Sequence, residues 1–117
     1  MQGESDALES EHAKKYGERY TNLLKDFNSA FSGYLDGCAY IDAGISEVWK
    51  YYAEINCWKE KHALSAENSF YIDTIAHGLI TSNEPQPEAD IAHYDSDCII
   101  KLGNLFANRI IANSSNT

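Results

Sequence analysis

The sequence predicts an all-α fold, an antiparallel bundle of three to four helices, on three observations. Apolar side chains recur at helix spacing from Ala13 to Trp58. Both prolines, Pro85 and Pro87, fall in one polar stretch, which leaves long segments free of helix breakers. The short apolar runs lack the bounded two-residue alternation that marks strands. A chain of 117 residues is expected to form one domain.

The first helix is expected over about 5–32. Ser5 and the acidic residues after it suit a helix start. Numbering in sevens, one column reads Ala13, Tyr20, Phe27, Tyr34, Ile41, Val48, Ile55. The next reads Tyr16, Leu23, Ala30, Gly37, Gly44, Tyr51, Trp58, and its neighbour Gly17, Leu24, Phe31, Cys38, Ile45, Tyr52, Lys59. A stripe this wide is a core-facing helix rather than a coiled-coil seam. The small residues in the second column either receive a partner helix or break the stripe. Gly33, Gly37 and Gly44 lie close together, and each costs about 1 kcal/mol inside a helix. A break within 33–46 is therefore favoured over one long helix, with Gly44 as the left-handed cap and Ser46 as the next N-cap.

The second helix is expected over about 38–61. Tyr51 and Tyr52 cannot both face one core, nor can Cys57 and Trp58, so it is apolar around more than half its girth. It is either the middle helix of the bundle or an aromatic patch that meets a partner or a second copy. Ser65 caps a third helix over 66–80. Residues 81–87 form the clearest loop. A fourth helix over 88–112 carries Ile91, Cys98, Ile99, Leu102, Leu105, Phe106 and Ile110 inward, and 113–117 is a frayed tail.

Charge narrows the function. The net charge is −9, and residues 62–100 hold Glu67, Asp73, Glu84, Glu88, Asp90, Asp95 and Asp97 with no Lys or Arg. Residues 1–11 hold Glu4, Asp6, Glu9 and Glu11, again without a base. Direct nucleic-acid binding and anionic membranes are thus disfavoured. No apolar run reaches membrane-span length and the acidic N-terminus lacks a secretory apolar region, so a cytoplasmic protein is expected. Cys38, Cys57 and Cys98 show no metal-finger or CxxC spacing, sit on or beside apolar faces and are expected to be reduced core residues.

No nucleophile elbow or glycine-rich phosphate loop is present, and no cofactor is implied. A Cys98 pairing with His77 or His93 is the one nucleophilic arrangement to weigh. Two helices folded back about residue 84 or 85 would bring Asp73 and His77 near His93 and Asp97, a set suited to Zn²⁺ or a harder transition metal. The favoured expectation is a non-enzymatic binding protein. Its partner would be the basic surface of a nucleic-acid-handling enzyme, as for immunity proteins and phage blockers of restriction or CRISPR effectors. Glu84, Glu88, Asp90, Asp95 and Asp97 would form the charged rim, with Tyr94 as the aromatic anchor. The metal-binding bundle and a homo-oligomeric adaptor, a possible homodimer, are the alternatives.

Overall fold

A computed structural model describes residues 2–82 and 91–115 of the chain. A 3₁₀ turn at Asp6–Leu8 leads into α1 (Ser10–Ala30), β1 (Tyr40–Ala43), α2 (Tyr52–Ser65), β2 (Ser69–Ile72) and α3 (Ser96–Ser114). The strands are parallel, with Tyr40 opposite Ser69 and Ala43 opposite Ile72. The fold is mixed α/β, which corrects the all-α bundle. Parallel neighbours need a long crossover between them, and α2 supplies it.

α1 follows the stripe where it folds. Ala13, Tyr16, Gly17, Tyr20 and Leu24 are its buried residues, the i, i+3, i+4, i+7, i+11 set of one helical face. Leu23, Phe27 and Phe31 stay exposed. Gly17 lets α2 close on α1. A Cβ there would lie 2.2 Å from the Trp58 ring, a distance no side chain tolerates. Beyond α1 the chain breaks, as the clustered glycines imply, with Gly33 and Gly37 both at positive φ.

β1 replaces the start of the expected second helix. Ile41 and Ala43 face the cluster under α3, while Tyr40 and Asp42 face α1 and α2. Gly44 does not take a left-handed cap. Its missing Cβ makes room for the Tyr71 hydroxyl, which would stand 2.6 Å from one. The small residue receives this chain's own side chain, not a partner helix. Asn56 on α2 pins the exit from β1 by accepting from the Ile45 N–H at 2.8 Å and donating to its carbonyl at 3.0 Å. Ser46 is buried in the turn that precedes α2 and is not that helix's N-cap.

β2 and a turn replace the expected third helix. Ser65 donates to the His62 carbonyl at the end of α2 rather than starting a helix. Asp73 then closes a turn, its Oδ1 accepting from the N–H groups of Ile75 and Ala76. α3 starts later than expected because Asp95 is its N-cap, accepting from the Cys98 N–H at 2.9 Å. Cys98 and Leu102 are buried on α3, whereas Ile91, Ile99 and Ile110 are exposed.

The layers are α1 with α2, the two strands, and α3. One core cluster lies between α1, α2 and the sheet around Tyr16, Tyr20, Ile45 and Ile55. The other lies between the sheet and α3 around Ala43, Ile72, Tyr94 and Leu102. Strands covered on both faces are the usual setting of a parallel pair. No helix among the described residues is long and apolar enough to cross a membrane.

Candidate functional site at the carboxyl ends of the strands

β1 and β2 leave the sheet side by side, and hydrogen bonds hold the two exits together. Gly44 N–H donates to the Ile72 carbonyl at 3.0 Å, extending the ladder. The Thr74 hydroxyl donates to the Gly44 carbonyl at 3.0 Å. The Tyr94 phenol joins them, 2.7 Å from Thr74 Oγ1 and 3.1 Å from the Gly44 oxygen. Tyr94 is only 6% exposed, and burial holds its phenol above the ordinary range.

This junction fixes residues 91–95 from both sides. The Trp49 indole N–H donates to the Ala92 carbonyl at 3.2 Å. Asp95 N–H donates to the Ile80 carbonyl at 3.1 Å, and its side chain caps α3. His93 sits between these anchors and is exposed. A histidine base must be both accessible and held still, and here the neighbours do the holding. Tyr94→Phe is expected to lower stability by about 1–2 kcal/mol, because Thr74 and Gly44 lose a buried partner. Urea unfolding measures it. An unchanged midpoint would show that the phenol holds nothing.

The other histidines are placed differently. His12 is exposed on α1 and His77 is exposed beyond the turn after β2. His62 meets the Tyr20 and Tyr40 rings edge-on at 5.5 and 5.8 Å. Burial pushes its imidazole below the ordinary range, against the pull of Asp42. A cleft of about 180 Å³ borders it, lined by Leu24, Phe27, Cys38, Tyr40 and Asn68 among others. That cleft lies at the amino ends of the strands, away from His93, and its histidine is wedged between rings. Accessibility and anchoring favour the carboxyl end over this deeper hollow.

A buried ion pair stands two residues before Gly44. Lys59 Nζ lies 3.2 Å from Asp42 Oδ2, with the lysine side chain 0% exposed. It also donates to the Ala43 carbonyl at 2.9 Å. The Tyr20 hydroxyl donates to Asp42 Oδ2 at 2.8 Å and stands 2.9 Å from the Tyr40 hydroxyl. Asp42 Oδ1 accepts the Ala43 N–H at 2.8 Å. Burial pushes the Lys59 ammonium below its ordinary range while Asp42 draws it back, and burial pushes the Tyr20 phenol up. Sequence reasoning gave Lys59 no part in the core; the available signal was its place in an apolar column with Ile45 and Tyr52.

The residues expected to carry function scatter. Glu84, Glu88 and Asp90 lie outside the described residues. Tyr94 and Asp95 point inward and are buried, so neither forms part of an exposed rim, while Asp97 is exposed on the first turn of α3. Among the described residues no three His, Cys, Asp or Glu side chains gather to hold a metal ion. Asp73 instead spends its Oδ1 on its own turn. Cys98 is buried, its sulfur accepts from the Ile80 N–H, and burial pushes the thiol up, which disfavours a nucleophilic thiolate. Cys38 and Cys57 are free and exposed, not core residues.

A family model described as carbohydrate esterase, sialic acid-specific acetylesterase, matches residues 1–112. The match spans nearly the whole chain, and the chain belongs to that family. Comparisons with curated proteins and with solved structures give no match. Membership in a family of hydrolases overturns the expected non-enzymatic inhibitor of a basic surface, immunity-like or anti-CRISPR-like. The metal-binding bundle and the adaptor fall with it. Charge and size suggested an inhibitor because acidity that only solvates a small protein resembles acidity aimed at a partner.

Proposed function

We propose that the protein hydrolyses acetyl esters of carbohydrates, with His93 as the general base. The reaction splits the acyl carbon–oxygen bond, releasing acetate and the sugar hydroxyl with water consumed. His93 takes the proton from the attacking oxygen and returns it to the departing sugar oxygen. The observation that carries this reading is an exposed histidine clamped between Trp49–Ala92 and the Tyr94–Thr74–Gly44 junction, at the carboxyl ends of parallel strands. In open α/β sheets that end is where ligands bind. Family membership supplies the reaction class.

A base of this kind works best when a carboxylate fixes its tautomer. Asp90 precedes His93 by three residues in the sequence and is the carboxylate to test. Acetate release from O-acetylated sugars and from 4-nitrophenyl acetate is the assay. Asp90→Asn is expected to lower kcat by about 10²–10⁴-fold. The attacking oxygen is a serine hydroxyl in the covalent route and water in the direct one. Labelling by a fluorophosphonate, which modifies only an activated serine, separates them. An absence of acetate release above the buffer rate from both esters would overturn the reading.

A further inference from the structure

We infer that the cleft around His62, at the amino ends of the strands, is a second carbohydrate site that holds a pyranose ring without acting on it. The site stands apart from His93, and only the choice of a sugar as its ligand rests on the reading given above.

The second half of α1, the loop before β1, the end of α2 and the turn into β2 converge on this cleft. Its volume of about 180 Å³ suits one six-membered ring. Pockets for drug-sized ligands are larger, roughly 300–1,000 Å³. Phe27, Tyr40 and His62 bring ring surface to the lining, against which the C–H face of a sugar can pack. Phe27 is half exposed, and its contact with Phe31 at 4.8 Å steadies the ring. Asn28, Asn68 and Ser69 stand beside these rings with amide and hydroxyl groups. A primary amide carries donors and an acceptor together, so it can meet two neighbouring sugar hydroxyls.

The polar groups are held in place. Tyr20 and Tyr40 grip the His62 imidazole edge-on. Burial keeps it below the ordinary range, hence uncharged at neutral pH. A neutral imidazole has one N–H donor and one bare nitrogen, and a hydroxyl can answer either. Asn68 sits at φ 56°, and its carbonyl accepts the Tyr40 N–H at 2.8 Å. Asparagine enters that left-handed region more readily than most side chains. The cleft also opens into a shallower groove on α1. Asn28 and His62 border both, and Thr21, Lys25 and Ser29 line the groove beyond. A chain of sugars could continue along this polar track from the ring in the cleft. The four-residue strands separate the cleft from the His93 end by about 13 Å at the usual rise. One ring does not span that distance, so the cleft binds a different sugar from the one that loses its acetyl group.

The test follows amide chemical shifts of the whole chain as methyl β-galactopyranoside is added, with mannitol, an acyclic polyol, as the control. Saturable shifts with a millimolar Kd are expected over 24–28, 38–40 and 62–69, and mannitol should not produce them. Asn68→Gly removes the amide and tolerates the left-handed backbone. Combined with Asn28→Ala it should weaken binding about tenfold or more. A second readout leaves every lining side chain in place. In Cys57→Ser protein, Cys38 is the exposed thiol that remains, since Cys98 is buried. Saturating galactoside should slow alkylation of Cys38 by iodoacetamide severalfold. Shifts that mannitol reproduces, shifts confined to 91–97, or unchanged alkylation of Cys38 would each overturn the second site. Binding is read without ester hydrolysis, so a protein that binds the galactoside here and hydrolyses no ester would overturn the ester reading alone.

Discussion

Replacing His93 with alanine is expected to lower kcat/KM for a carbohydrate acetyl ester by about 10²–10⁴-fold, the usual worth of a positioned general base. Stability should hardly move. The ring is exposed, and the groups that secure its segment include the Ala92 carbonyl, the Tyr94 phenol and the Asp95 backbone, which the variant retains. Surface truncations of this kind usually stay within about 0.5 kcal/mol of wild type. Activity and melting temperature should therefore separate. His77→Ala is the matched control, since His77 is also exposed and near the same end of the sheet. It is expected to retain wild-type rates. Added imidazole should restore part of the His93→Ala activity, because a free base can occupy the gap. Retention of more than about a third of the activity, far above what loss of a base permits, would assign the proton transfer to another group.

How much of this was legible in the sequence depends on how local each signal is. The inner face of α1 was legible residue by residue, because Tyr16, Tyr20 and Leu24 obey the spacing of a single helix. The stripe then ran on in phase past Phe31, and that continuity was misleading. Ile41 belongs to a strand and Ile45 to a loop, and both reach a core by non-helical routes. A strand of four residues gives alternation little room to show. In β1 both faces are also covered, so Tyr40 and Asp42 look no different in burial from Ile41. α2 packs on α1 and β2, yet Cys57, Trp58 and Leu64 on it are exposed, so its apolar girth does not mark a helix buried all round. β2 was lost because Ser69–Ile72 carries Phe, Tyr and Ile, which fit a helix start as well as a strand.

The candidate site was less legible for a different reason. His93 stood out only as one of four possible metal ligands and as one of two possible partners for Cys98, and Asp90 three residues before it is the one nearby sequence feature that His77 lacks. The rest of what distinguishes it comes from far away. Trp49 reaches Ala92 across 43 residues and Tyr94 reaches Gly44 across 50. Those pairings exist only because β1 and β2 lie parallel and bring their ends together. Tyr94 looked like an exposed anchor while its neighbours were judged by charge. Inside the fold the same phenol ties the two strand exits to the segment that presents the histidine.

The second large effect is expected at the buried pair behind that junction. Lys59→Met leaves the Asp42 carboxylate inside without its counter-ion and the Ala43 carbonyl without its donor. Removing one partner of a buried pair typically costs about 3–5 kcal/mol, most of it for the stranded charge. Tyr20 still donates to Asp42 and the aspartate side chain is 13% exposed, so the lower end of that range is expected here. That is still a large part of a small domain's stability, roughly 5–15 kcal/mol in all. Asp42→Asn together with Lys59→Met should recover much of the loss, since no unpaired charge then remains. Urea unfolding of wild type, both single variants and the double variant closes the cycle. A double variant as unstable as the sum of the singles would mean that the two side chains act independently. A Lys59→Met cost below about 1 kcal/mol would place the lysine among exposed pairs. Because Ala43 passes directly into Gly44, whose carbonyl receives Thr74 and Tyr94, the same substitution should also loosen the presentation of His93. Its folded fraction is then expected to hydrolyse ester more slowly than wild type, linking the ionic core to the proposed chemistry.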